Sequence, residues 1–203
     1  MPQRAKRWKP SGAMLVLGLW FVAMLLVGSS LMAKHLVPLP QPKADEVRAA
    51  SLSQLAEPAR RGRWLAVHVL YSECRCSKRI AEHLLAEARP ADIDEHVLLV
   101  KDGDDAGMGK RLADAGFGVH VVTSEELAER YGIEAVPFFV LLGPDGVARY
   151  AGGYTDRKQG PAPRDLEIIA AAREGKGELP ALPTFGCAVS EKLRRTLDPL
   201  RIP

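Results

Sequence analysis

The sequence predicts a mixed α/β domain, a central sheet flanked by helices, carried behind an N-terminal membrane-spanning helix. Three observations lead there. Mostly apolar stretches of strand length, RWLAVHVLY (63–71), EHVLLVKD (95–102) and GVHVV (118–122), alternate with segments of helical period, the pattern of a sheet buried between helices. EAVPFFVLLGPDGVARYAGGY (134–154) reads as strand, GPDG turn, strand, a terminal hairpin on that sheet. The third is AMLVLGLWFVAMLLVGSSLMA (13–33), which has neither a charge nor a proline.

About twenty apolar residues at a rise of roughly 1.5 Å span a hydrocarbon core of roughly 30 Å. Residues 1–12 precede them with Arg4, Lys6, Arg7 and Lys9, and by the positive-inside rule this basic segment stays cytoplasmic. The domain is then expected outside the cytoplasmic membrane. A cleaved signal is the other reading, because VGSS offers small residues. The length of the apolar run favours a retained signal anchor. Either way the domain enters an oxidising compartment, periplasmic or otherwise extracytoplasmic, where cysteine redox chemistry is natural.

Residues 34–49, with three prolines before Asp45 and no amphipathic period, read as a semi-rigid linker. EVRAASLSQLAEPA has a weak helical pattern ending near Pro58. The domain is expected over 50–178. Within it, Ser77 to Ala88 has Ile80, Leu84 and Leu85 on one helical face, and AGMGKRLADAG predicts a short helix. Thr123 and Glu126 form a capping-box pattern, closed by Gly132 as a C-terminal cap. Residues 164–174 predict a last helix, and 179–203 form a tail with a short helix after Cys187. Asp102, Asp104 and Asp105 read as a solvated acidic loop.

The chain has 203 residues and a formal charge of +3, less than its basic N-terminus alone supplies. A nucleic-acid surface, which needs a concentrated basic footprint on the folded domain, is therefore excluded. Three cysteines, Cys74, Cys76 and Cys187, are too few for a stapled secreted scaffold, and the odd count leaves one thiol over. Cys74 is expected at the start of a helix, where unpaired N–H groups and the macrodipole favour a thiolate. Arg75, Lys78 and Arg79 add positive potential. Such a sulfur can attack a disulfide or bind a soft metal.

Cys76 has three readings. Side chains two apart on a helix diverge, so a Cys74–Cys76 disulfide would unwind the first turn and be strained; otherwise Cys76 is a metal ligand or a packing residue. Cys187, after the flexible LPTFG, is either a free thiol or folds back to Cys74 as resolving thiol or third ligand. Three clustered thiolates would suit Cu(I). Copper is accordingly the alternative to a site with no cofactor.

Residues 131–154, YGIEAVPFFVLLGPDGVARYAGGY, resemble the second half of a thioredoxin fold, and CRCSK (74–78) overlays that family's C-x-x-C-K when Cys74 is set on the nucleophilic cysteine. Five residues separate His68 from Cys74, the spacing between the family's buried acid and its nucleophile. The extra GMGKRLADAGFGVHVV resembles the helix–strand insertion of the membrane-anchored TlpA-like branch. The resemblance covers roughly residues 50–175. It implies a thioredoxin-like fold, a thiol–disulfide oxidoreductase acting through Cys74, and Pro137 in cis beside it, presenting backbone to a substrate chain. It implies exported cysteine-containing proteins, apocytochromes among them, as substrates and a transmembrane thiol reductase as electron source.

The departures lie at the site. Ser77 replaces the second family cysteine, where it caps the helix or hydrogen-bonds the thiolate. His68 replaces the acid, as a proton relay or an ordinary core histidine. The tail with Cys187 has no counterpart in the core family. Sco-type copper chaperones put a thioredoxin-like fold to metal work, but with differently spaced cysteines.

Overall fold

The computed structural model of the chain describes residues 12–101, 107–158, 162–175 and 179–197. The basic N-terminal segment and Asp102, Asp104 and Asp105 lie outside the described residues. Residues 1–37 and 38–203 are two compact units. The first contains helix α1 (Gly12–Leu36), whose length and composition suit a membrane span or a signal sequence.

The second unit is built on one five-stranded sheet. Strands β1 (Trp64–Tyr71), β2 (Ile93–Val100) and β3 (Gly118–Val122) are mutually parallel. Strands β5 (Phe138–Leu142) and β6 (Ala148–Gly152) complete the order β3-β2-β1-β5-β6, with β5 antiparallel to both β1 and β6. Strand β4 (Ala135–Val136) stands apart from this sheet and pairs with β7 (Cys187–Ala188). The hairpin closes at Gly146, which takes a φ of 75° and donates to the Gly143 carbonyl at 2.8 Å. That left-handed conformation is why a glycine ends the GPDG turn.

Side chains alternate across β1, so both faces are buried. Leu65, Val67, Val69 and Tyr71 point to one face, where Leu52, Leu127, Tyr131 and Val189 cover them. Ala66 and Leu70 point to the other, against helix α3 (Arg75–Ala86), helix α4 (Met108–Asp114) and helix α6 (Asp165–Arg173). Helix α3 buries Ser77, Ile80, Ala81 and Leu84, the spacing of a single helical stripe. It begins two residues before the predicted start, because the chain turns into helix directly after Cys74.

Three local features differ from the sequence reading. The segment before Pro58 forms only α2 (Ala49–Ser53) and a 3-10 turn at Pro58–Arg60; neither has a capping side chain. Thr123 caps the next helix as read, its hydroxyl accepting from Glu126 N–H at 3.0 Å, but Glu126 turns to Arg130 rather than back to the cap. That short helix, α5 (Ser124–Glu126), widens to π geometry over Leu127–Tyr131 before the left-handed Gly132. Residues read as linker are docked: Leu39 N–H donates to Thr184 O at 2.8 Å, Gln41 binds both Leu182 O and the Thr184 hydroxyl, and Val47 is buried. Proline-rich chain without helical period still pairs through its backbone, which composition does not reveal.

The face under α3 and α6 also holds a buried polar chain. His68 Nδ1 meets the Tyr154 hydroxyl at 2.8 Å, and its Nε2 faces Glu95 at 3.9 Å, an ion-pair rather than a hydrogen-bond distance. Arg89 grips Glu95 through two nitrogens and reaches Asp165 at 2.7 Å; Asp165 also meets His83 at 2.7 Å. Burial alone would raise the Glu95 carboxyl, but His68 and the Arg89 guanidinium outweigh it and hold it at about 2. Asp165 is likewise pulled well below the usual range, burial being overcome by His83, His68 and Arg89.

Because these folded-state values lie below those of the unfolded chain, their stabilisation is complete above the usual carboxylate range. It is lost as pH falls from there toward about 2. Thermal unfolding followed from pH 7 downward should show a steep loss beginning near pH 4.5. Arg89→Met, which strands two buried carboxylates, should already cost about 3–5 kcal/mol at pH 7 and should flatten that acid limb.

Candidate functional site

Cys74 sits where β1 hands over to α3. Its N–H donates to Tyr71 O at 3.0 Å, its carbonyl receives the first helical bond from Lys78 N–H at 2.9 Å, and its backbone is extended (φ −79°, ψ 119°). It is therefore the N-cap residue, outside the helix while its side chain faces the helix start. This explains why Cys76 is not turned away. Divergence two residues apart holds when both residues are helical; here Cys76 lies within the helix and Cys74 does not, and the Cys76 thiol hydrogen-bonds Cys74.

The tail supplies the third sulfur. Residues 182–184 are fixed first. Gly153 N–H donates to Leu182 O at 2.8 Å, and a Cβ on Gly153 would lie 2.1 Å from Pro183 O, so the AGGY glycines are what let the tail lie flat on the domain. The chain then enters β7, antiparallel to β4, with Cys187 directly opposite Val136 and Ala188 opposite Ala135. Val189 N–H donates to Glu134 O at 2.8 Å. Ser190 caps the last helix, α7 (Glu191–Leu197), by accepting from Leu193 N–H at 3.0 Å, and Leu193 is buried. The Val136–Pro137 peptide is cis, and Gly186 lies against it: a Cβ there would be 1.9 Å from Val136 O and 2.6 Å from Pro137 Cδ.

All three cysteines are free thiols. The Cys187 thiol donates to Cys74, as does that of Cys76; these two bonds, against the opposing effect of burial, pull the Cys74 thiol far below its ordinary value. Ser77 N–H and hydroxyl act the same way more weakly, short of a full capping bond. Cys187 and Cys76 are pushed well above the ordinary range, first by their bonds to Cys74 and then by burial. The arrangement therefore favours ionisation at Cys74 over Cys76 and Cys187. Lys158 and Arg79 contribute positive potential at Cys76. The sulfur is nevertheless covered, Cys74 being only 1% exposed.

The structure brings Cys74, Cys76, Ser77, Cys187 and the Pro137 loop together. It does not bring His68 to them. His68 is fully buried among Phe139, Phe117 and Tyr154 on the opposite face of the sheet, with its ring stacked on Phe139 at 5.0 Å. Ser77 is buried, and its hydroxyl has no full hydrogen-bond partner. Tyr154, Glu95, Arg89 and Asp165, which surround His68, were missed by the sequence reading. Their one signal was ionisable residues inside or beside apolar runs. Among the described residues, no group of three or more His, Cys, Asp or Glu side chains is arranged to hold a metal ion.

No protein-family model matches the chain, and no curated protein matches it. Solved structures do. A hypothetical protein from Sinorhizobium meliloti 1021 is 17% identical and superposes with a TM-score of 0.54 over 75% of this chain and 92% of that one. An uncharacterized conserved protein from Geobacillus kaustophilus is 20% identical, with a TM-score of 0.51 over 64% of this chain and 77% of that one. A secreted Mycobacterium tuberculosis disulfide oxidoreductase is 16% identical, with a TM-score of 0.43 over 57% of this chain and 84% of that one. With strand order β3-β2-β1-β5-β6, a cysteine heading the helix after β1 and a cis-proline before β5, the domain has the thioredoxin-like fold.

The Cys187 thiol is the largest contributor to the lowered Cys74 value. Cys187→Ala should therefore move the Cys74 titration upward, read as thiolate absorbance near 240 nm. Cys76→Ala should move it in the same direction by less.

Proposed function

We propose that the chain is a membrane-tethered, extracytoplasmic thiol–disulfide oxidoreductase with Cys74 as nucleophile and Cys187 as resolving thiol. The observation that carries this reading is the sulfur arrangement: a Cys74 thiolate at the start of α3, hydrogen-bonded by the thiols of Cys187 and Cys76. A low-pKa thiol at a helix N-terminus is the attacking group of disulfide exchange.

The Cys74 thiolate attacks one sulfur of a substrate disulfide. A Cys74–substrate bond forms, the substrate S–S bond breaks, and the departing thiolate takes a proton from a neighbouring thiol. Cys187, having given that proton, then attacks the Cys74 sulfur; the Cys74–Cys187 bond forms, the Cys74–substrate bond breaks, and the second substrate sulfur leaves as a thiolate that takes its proton from water. Two electrons pass from two protein thiols to the substrate. A dithiol reductant must return them, and the TlpA-like resemblance assigns that task to a transmembrane thiol reductase. Cys76 keeps the resting thiolate ionised. The same resemblance assigns exported cysteine-containing proteins as substrates.

Its placement favours Cys187 over Cys76 as partner: it lies on β7, a separate strand, so a bond to it leaves the first turn of α3 intact. A second reading is a Cu(I) site on Cys74, Cys76 and Cys187; its support is that Cys76 and Cys187 both act on Cys74 and that thiolate sulfur is the donor Cu(I) prefers. The two readings separate on the full-length reduced protein in detergent. Insulin-type disulfide reduction without metal supports the first, and stoichiometric anaerobic Cu(I) uptake without turnover supports the second.

Cys74→Ser should abolish turnover. Cys187→Ser should accumulate a mixed disulfide on Cys74, and non-reducing peptide mapping of the oxidised wild type should find Cys74 joined to Cys187. A Cys74–Cys76 peptide with Cys187 free would overturn the assignment. Because the nucleophile is ionised well below neutrality, its rate of attack should be nearly flat from about pH 6 to 8, where an ordinary thiol would gain about tenfold per pH unit.

A further inference from the structure

A nucleophile that must meet a polypeptide disulfide is 1% exposed, and the segment that brings a thiol against it is the chain's own tail. That segment is extended, lies antiparallel to β4, and places a cysteine opposite Val136, beside the cis-proline loop. We infer that β7 is an internal stand-in for substrate: it occupies the edge of β4 that an incoming cysteine-bearing chain must take, so substrate docks only when the tail lifts, and the groove selects a cysteine preceded by glycine. This rests on the reading of Cys74 as the nucleophile in disulfide exchange.

The selectivity follows from geometry. The residue before the cysteine meets backbone on its Cβ side, at 1.9 Å from Val136 O and 2.6 Å from Pro137 Cδ. Neither atom belongs to a flexible side chain that can swing aside. A peptide held in the β7 register therefore accommodates only glycine there; any other residue shifts the strand off β4 and carries its sulfur away from Cys74.

The ability to lift follows from how the tail is pinned. Thr184 and Val189 are fully buried, while residues 185–188 between them are half-buried and join the domain through a ladder of two residue pairs. Few buried apolar contacts and a short ladder mark a segment that opens locally while its surroundings stay folded. Thr184 is bound to Leu39 and Gln41, and Val189 is followed by α7, held by Leu193. The segment is an arch tied at both ends.

Two measurements on the reduced full-length protein test this. In the first, Cys187→Ser protein is offered the peptide Thr-Phe-Gly-Cys-Ala-Val-Ser, activated at its cysteine as a chromogenic mixed disulfide, and the same peptide with alanine for glycine. The glycine peptide should form the Cys74 adduct at least tenfold faster. Equal rates would overturn the inferred register while leaving the oxidoreductase reading intact. Failure of both peptides to react, with Cys74 alkylatable in the same sample, would instead overturn the oxidoreductase reading and this inference with it.

In the second, alkylation of Cys74 by a bulky maleimide is followed at about pH 9, where an ordinary thiol is largely ionised and the rate reads access rather than acidity. Gly186→Ala should speed it at least tenfold over wild type. Leu193→Ala, which loosens the other tie without touching the groove, should speed it as well. Thermal unfolding of each variant separates local lifting, in which the main transition is kept, from global loss of fold. Unchanged alkylation in both variants would overturn the gating.

Discussion

The site depends on a buried sulfur, Cys74, whose neighbours favour its ionised form against the effect of burial. A lone thiolate at 1% exposure would be costly, since burial opposes ionisation. It is tolerated because two thiols donate to it and helix α3 begins beneath it. Each donor comes from a different part of the chain. Cys76 arrives with the helix itself and needs only local folding. Cys187 arrives from more than a hundred residues away and needs the tail to be seated. The lowering at Cys74 thus draws on the domain and on its seated tail together.

Much of this was legible in the sequence, for reasons that differ by element. The strands of the sheet announced themselves by continuous apolar runs, because strands buried on both faces need no alternation. Thr123 and Gly132 were legible because caps follow from local stereochemistry. What stayed hidden depended on long-range pairing. Leu39 and Gln41 looked like spacer, since nothing in PLPQP names the carbonyls it will meet. Gly152, Gly153 and Gly186 could be read as loop glycines, although each clears a path for a crossing backbone. Cys76 was read on the assumption that both cysteines of the C-x-C lie inside the helix, whereas Cys74 stands one position out, at the cap.

The polar chain on the other face answers a different physical problem. A histidine in the middle of a central strand has few chances to meet water, and His68 is fully buried. Tyr154 satisfies one ring nitrogen, and the Glu95–Arg89–Asp165–His83 series extends from the other side as a chain of polar contacts. The series joins β1, β2, α3 and α6 and fixes how the helices sit on the sheet. The cysteines lie on one face of the sheet while the opposite face holds this fixed frame, so the two are separated by the strand between them.

The bond between Leu39 and Thr184 ties the beginning of the domain to its end. Leu39 is close to the junction with α1, and Thr184 stands two residues from Gly186. Any displacement of Leu39 is therefore felt first at the root of β7, the strand that carries Cys187. The first residues of the domain thus help to seat its last strand, and neither end is ordered independently of the other.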